Sequence, residues 1–225
     1  MASRYITTEF DARLQHPFTL LLAGPSGSGK TRFVNELLKA KNRIVSADLT
    51  NIVYVYGCYQ PIYDEMKRHT PCVQFLDELP ERLDDDELFP AHKNNLLILD
   101  DIMASALDNP EVENAFTKYS HHRSLSVILI SQNLFFQGKK ARTISLNANY
   151  LVLYKNVRDT AQAGVIARQM YSRNSSFFLQ AYKDATERPY SYLLIDLKPA
   201  CPDKFRLRSQ ITERHPIVYL PRKGN

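Results

Sequence analysis

Phe18-Thr19-Leu20-Leu21-Leu22-Ala23-Gly24-Pro25-Ser26-Gly27-Ser28-Gly29-Lys30-Thr31 runs from a short apolar segment into a glycine-rich turn that ends in Lys-Thr. The spacing Gly-x4-Gly-Lys-Thr is that of a phosphate-cradling loop. Its glycines let backbone N–H groups turn inward and form a nest for a β-phosphate. A helix beginning at the loop adds the positive end of its dipole. In such a loop Lys30 reaches the β- and γ-phosphates, and the Thr31 hydroxyl ligates Mg2+. The expected nucleotide contacts are Gly24-Pro25-Ser26-Gly27-Ser28-Gly29-Lys30-Thr31-Arg32, with ATP and Mg2+ as cofactors. Three of the seven glycines of the chain fall in this stretch, so it is not a product of glycine-rich composition.

Outward from the loop, short apolar or β-branched runs alternate with helical patterns. Gly29 to Ala40 reads as a helix with Phe33, Leu37 and Leu38 on one face. Strands are expected at Ile52–Tyr56, Val73–Leu76, Leu96–Leu99, Ser126–Ile130, Tyr150–Tyr154 and Tyr192–Ile195. Pro110–Tyr119, Thr160–Tyr171 and Ser175–Thr186 read as helices. This alternation predicts an α/β domain, a mostly parallel sheet flanked by helices. The acidic stretch Asp77 to Glu87 and the basic stretch Phe135 to Asn147 read as loops. The domain is expected to occupy residues 1–197. Residues 198–225, rich in Pro and Arg, read as a basic C-terminal tail, partly extended or disordered.

Two strand tips carry chemistry. Leu96-Leu97-Ile98-Leu99 ends in Asp100-Asp101. A buried strand delivers such acids to the carboxyl edge of the sheet, where ligands bind in these folds. Asp100 is placed to hold Mg2+ through water, and Asp101 to polarise an attacking water. Ser126-Val127-Ile128-Leu129-Ile130 ends in Ser131-Gln132-Asn133, and Gln132 is the expected sensor of a γ-phosphate.

With 225 residues, 44% hydrophobic and 24% charged, the chain fits one globular domain. No apolar run approaches the ~20 residues that span a bilayer. The N-terminus lacks a secretory apolar stretch, and Cys58, Cys72 and Cys201 fit neither a disulfide framework nor a zinc site. An intracellular protein with reduced thiols is expected. His121-His122 has no third ligand at metal spacing. Residues 1–137 carry 13 Lys/Arg against 18 Asp/Glu, a net −5, whereas residues 138–225 carry 16 against 6, a net +10. A basic half joined to an acidic half suggests a surface for a polyanion. Lys139, Lys140 and Arg142, beside Gly138, form one basic group. Lys204, Arg206, Arg208, Arg214, Arg222 and Lys223 form another. Contact with a DNA backbone would suit either, and no motif for reading bases is present.

The order GPSGSGKT, LLILDD, HHRSLSVILISQNLFFQG, KKARTISLNANYLVLYKNVRD resembles the viral DNA-packaging ATPases of the FtsK/HerA superfamily, in the poxvirus-type branch found in Polinton-like and adintovirus-like elements. The resemblance covers Phe18 to Thr186. It implies an additional-strand, RecA/FtsK-like P-loop NTPase, with the Ser126–Ile130 strand between the loop strand and the Asp100 strand. It also implies a ring of five or six subunits that drives double-stranded DNA into a capsid, in contact with capsid or portal-vertex proteins. Host cytoplasm or nucleus, or the virion, would be its place. An arginine from a neighbouring subunit would complete the site, with Arg142 the first choice and Arg123 and Arg158 behind it. Many superfamily members carry Asp-Glu where this chain has Asp100-Asp101. Asp is one methylene shorter than Glu, which weakens the assignment of Asp101. The loop alone also fits a guanylate-kinase-like enzyme, which would need an acceptor pocket and an Arg-rich lid. A transporter-type ATPase should carry Leu-Ser-Gly-Gly, which is absent. A non-enzymatic nucleic-acid-binding module with a vestigial loop is the remaining alternative.

Overall fold

The computed structural model describes residues 10–102, 109–120, 123–134 and 139–221. The glycine at 138, the histidines at 121 and 122, and Arg222 and Lys223 lie outside these. For 139–141 only the backbone is described.

The expected strands form, with ends shifted by a residue or so. They are β1 (Thr19–Ala23), β2 (Asn51–Tyr56), β3 (Val73–Leu76), β4 (Asn95–Asp100), β5 (Leu125–Ser131), β6 (Tyr150–Tyr154) and β7 (Tyr192–Asp196). Two more follow, β8 (Leu207–Ser209) and β9 (Ile217–Val218). The sheet order is β3-β2-β4-β5-β1-β6-β7-β8-β9. Pairing is parallel from β3 through β6 and antiparallel beyond. β5 lies between β1 and β4, the additional-strand arrangement, with Leu21 level with Leu129 and Leu99 level with the same Leu129.

Side-chain alternation explains why the central strands are apolar throughout. Leu21 of β1, Leu97 and Leu99 of β4, and Val127 and Leu129 of β5 face one core. Leu20, Leu22, Leu96, Ile98, Ile128 and Ile130 face the other. The second core is closed by α1 (Lys30–Lys39), α2 (Lys41–Ile44) and α3 (Ile62–His69), through Phe33, Val34, Leu37, Ile44 and Met66. The first is closed by α4 (Pro110–Asn114), α5 (Lys139–Leu146), α6 (Ala161–Met170) and α7 (Ser175–Ala185), through Val112, Ile144, Ile166, Phe178 and Ala181. Each fully buried Leu or Ile contributes about 1.5–3 kcal/mol, so a sheet covered on both faces tolerates polar residues only at its tips. No helix among the described residues is long and apolar enough to cross a membrane.

Four local expectations change. Residues 139–146 are helical rather than a loop, and Ile144 is buried in the first core. Ile144 anchors a helix on which Arg142 and Leu146 are exposed. Pro110–Tyr119 divides into α4 and a π-helical turn, Ala115–Tyr119. α3 is an added helix; its acids Asp64 and Glu65 lie in the first turn and Lys67, Arg68 and His69 in the last. That order complements the helix dipole and was the readable signal. Finally, the stretch from Lys198 onward joins the sheet. β8 pairs with β7, and Arg208 donates to Asp196 Oδ2 at 2.9 Å with both side chains 1% exposed. Arg206 bonds the Asp196 and Lys198 carbonyls. Arg208 is an internal brace and not free to hold DNA, and Arg206 is half-buried and tied to these carbonyls and to Asp203.

Candidate nucleotide-binding site

β1 ends at Ala23, and the chain turns through the loop into α1. Gly27 and Gly29 take φ of 75° and 103°, the left-handed region that an L side chain resists. Gly24 N–H donates to the Ser131 carbonyl at 3.2 Å, tying the loop to the tip of β5. Lys30 Nζ lies across the loop and donates to the carbonyls of Gly24 at 2.7 Å and Pro25 at 2.9 Å. Burial lowers the Lys30 pKa from its ordinary value, and the carboxylates of Asp100 and Asp101 oppose that shift.

Opposite the lysine, β4 brings Asp100 to the sheet edge. The residue is 2% exposed, and its Oδ2 accepts three hydroxyl bonds. They come from Thr31 at 3.1 Å, Tyr54 at 2.6 Å and Tyr63 at 3.1 Å. Burial raises the Asp100 pKa, and the three hydroxyls pull it back. Thr31 and Asp100 are thus adjacent hard oxygen donors, the chemistry a Mg2+ ion takes alongside phosphates and water. Asp101 follows with φ 51° and is exposed at the cavity mouth. Gln132, one residue past β5, is also exposed there. A cavity of about 430 Å3 brings together Lys30, Thr31, Arg32, Asp100, Asp101 and Gln132. Sequence spacing placed these six at separate strand and loop ends, and the parallel sheet makes them neighbours.

Tyr54 and Tyr63 were missed by sequence reasoning. They reach Asp100 from β2 and α3, and no fixed spacing links either to an acid. The only trace was the density of aromatics at 54, 56, 59 and 63. The three candidate arginines do not line the cavity. Arg142 is exposed on α5 and Arg158 is exposed after β6. Arg123 Nη1 is paired with Asp86 at 2.6 Å. Among the described residues, no group of three or more His, Cys, Asp and Glu assembles that could hold a metal ion.

No family model matches this sequence, and no curated protein matches it. Solved structures similar to it include the genome packaging NTPase B204 from Sulfolobus turreted icosahedral virus 2. The complex with ATP-gammaS is 11% identical over 94% of this chain and 99% of that one, at a TM-score of 0.47. The complex with AMPPCP is 12% identical over 91% and 98%, at 0.48. The cytoplasmic domain of the Thermomonospora curvata Type VII secretion ATPase EccC is 17% identical over 85% of this chain and 25% of that one, at 0.49. The strand order, the loop between β1 and α1, and the acids at the end of β4 give this chain the α/β fold of the P-loop NTPases.

Proposed function

We propose that the protein is an ATPase of the FtsK/HerA type, in its poxvirus-type branch, which moves double-stranded DNA into a viral capsid. The carrying observation is the contact between Thr31 and Asp100 in the cavity that Lys30 lines, with Gln132 just past the strand inserted beside them. Loop, acid and inserted strand tip together suit this class better than the loop alone.

In this reading the loop N–H groups and Lys30 hold the β- and γ-phosphates, and Lys30 exchanges its two carbonyl bonds for them. Thr31 and Asp100 would hold Mg2+, which supplies charge neutralisation between the phosphates. Asp101 orients a water and takes its proton as the water oxygen bonds to the γ-phosphorus. The bond from that phosphorus to the bridging oxygen breaks, giving ADP and phosphate. Gln132 reports the presence of the γ-phosphate. Arg142, carried on α5, reaches the neighbouring subunit in a ring of five or six; Arg123 and Arg158 are the reserve candidates, and Arg123 would first have to leave Asp86. DNA and capsid or portal-vertex proteins are the partners, and the host cell interior or virion the setting.

The test is ATP hydrolysis by the assembled protein with and without duplex DNA. Stimulation by DNA, lost in Lys30→Ala, is expected. Equal hydrolysis by Lys30→Ala and the parent would overturn the mechanism. Phosphoryl transfer to a nucleoside monophosphate would replace it with a guanylate-kinase-like activity.

A further inference from the structure

The chain between β2 and α3 forms one wall of the cavity that holds Lys30, Thr31 and Asp100, through Gln60, Pro61 and Ile62. We propose that Gln60 acts in the hydrolysis there: its side-chain amide holds the attacking water between Asp101 and the γ-phosphate. The proposal rests on the ATPase reading and adds a residue to that site.

This loop is pinned to Asp100 at both ends. Gly57 N–H donates to the Asp100 carbonyl at 3.1 Å. Tyr63, in the first turn of α3, donates from its hydroxyl to Asp100 Oδ2 at 3.1 Å. Between these two ties, the Gln60 carbonyl accepts the Tyr63 N–H at 3.0 Å, which closes the turn that carries Gln60. The Tyr59 hydroxyl donates to Asp64 and adds a further link to α3. Together these bonds fix where Gln60 stands.

The same loop sets the backbone of Asp101. A Cβ added to Gly57 would overlap the Asp101 carbonyl oxygen, so only glycine lets the two segments lie this close. Asp101 takes φ 51° there, a left-handed backbone that a non-glycine residue adopts when its surroundings impose it. Its carboxyl group is carried on a short side chain and is exposed at the cavity mouth. Such a carboxylate accepts a hydrogen bond from a water but leaves that water free to turn about the bond. A second partner is what fixes the direction of attack.

Gln60 suits that second place by its chemistry. Pro61 and Ile62 have no side-chain donor or acceptor, so the Gln60 amide is the polar side-chain group that this wall offers. The residue is half-buried, and its amide carries both an acceptor oxygen and an NH2 donor. The oxygen accepts from the water and the NH2 donates to a γ-phosphate oxygen, which aligns the two reacting atoms. The amide itself exchanges no proton. The water oxygen bonds to the γ-phosphorus, the water's proton goes to Asp101, and the bond from phosphorus to the bridging oxygen breaks. Gln132, past β5, is then left to report the γ-phosphate and does not have to hold the water.

The experiment is a double-mutant cycle on the assembled protein. It reads kcat and KM for ATP hydrolysis with duplex DNA, and equilibrium affinity for a non-hydrolysable ATP analogue. The proteins are the parent, Gln60→Ala, Gln60→Glu, Asp101→Glu, Gln60→Ala combined with Asp101→Glu, and Lys30→Ala. Gln60→Ala should lower kcat by roughly 10- to 100-fold, with KM and analogue affinity within about 2-fold, the pattern of a contact made in the transition state. Gln60→Glu keeps the shape and loses the amide donor, so it should be as slow as Gln60→Ala. The effect of Asp101→Glu on kcat should differ by at least about 3-fold between the parent and the Gln60→Ala background, because residues that share one water are not additive. A parent-like kcat in Gln60→Ala or Gln60→Glu overturns the proposal. So does a loss of analogue affinity as large as the loss of kcat, or the same effect of Asp101→Glu in both backgrounds. Those outcomes leave the ATPase reading standing. If Lys30→Ala hydrolyses ATP as fast as the parent, the ATPase reading itself falls, and the role of Gln60 with it.

Discussion

Three hydroxyls meet on one oxygen of Asp100, and two of them belong to no phosphate-loop motif. A carboxylate 2% exposed is costly to keep charged. Tyr54 and Tyr63 lower that cost and set the direction of the carboxyl group. Removing one hydroxyl from a buried acceptor should cost about 1–3 kcal/mol. Tyr63→Phe should therefore need several-fold more Mg2+ to reach half-maximal Mg2+-dependent ATP binding. Binding in the presence of EDTA should stay at the parent level. A parallel fall with and without Mg2+ would show a packing role only. At this scale Lys30, Thr31 and Asp100 were legible because loop spacing and strand ends specify them. The tyrosines were not, because residues 37 and 46 positions away from Asp100 reach it only through the folded sheet.

Two elements depart from the legible pattern because a buried contact decides each of them. β8 is three residues long and contains an arginine, so its pattern alone does not read as a strand. It is a strand because Asp196 on β7 neutralises Arg208 inside the domain. Breaking that pair leaves a lone buried charge. Asp196→Ala should lower the unfolding free energy by about 3–5 kcal/mol, and Asp196→Leu with Arg208→Met should recover most of it. Urea unfolding followed by circular dichroism reads both, and an unchanged midpoint in Asp196→Ala would rule out the brace. α5 is the other case, a basic stretch made helical around buried Ile144. It presents Arg142 and Leu146, the latter 74% exposed. If α5 faces a neighbour's site, Arg142→Ala should abolish DNA-stimulated hydrolysis while the affinity of a single subunit for ATP is retained. Mixing Arg142→Ala with Lys30→Ala subunits should restore part of the activity, since each supplies what the other lacks. No recovery on mixing would point to Arg158 or Arg123.

Across the whole molecule, the candidate nucleotide site is at one edge of the sheet and a half-buried histidine at the other. His16 Nδ1 lies 2.7 Å from Ser126 Oγ, and its Nε2 is buried without a partner. Burial lowers its pKa below the ordinary 6.5, and the same cause lowers that of His69 on α3. Groups lowered on folding bind fewer protons in the native state than in the unfolded one. Their contribution is present above the unfolded value and is lost as pH falls through the folded values. The melting temperature should therefore drop between about pH 6.5 and pH 5, with a smaller drop in His16→Gln, measured by scanning calorimetry. An identical pH profile in that variant would acquit His16. Taken alone, the sequence determined the P-loop, the central strands and the acid at the end of β4. Those depend on local spacing and on burial of continuous apolar runs, both of which are written along the chain. Tertiary structure alone decided that Tyr54 and Tyr63 share Asp100 and that Arg208 is internal. Each of these brings together groups distant in sequence, and their charge or hydroxyl is tolerable inside the protein only when the partner is already in place.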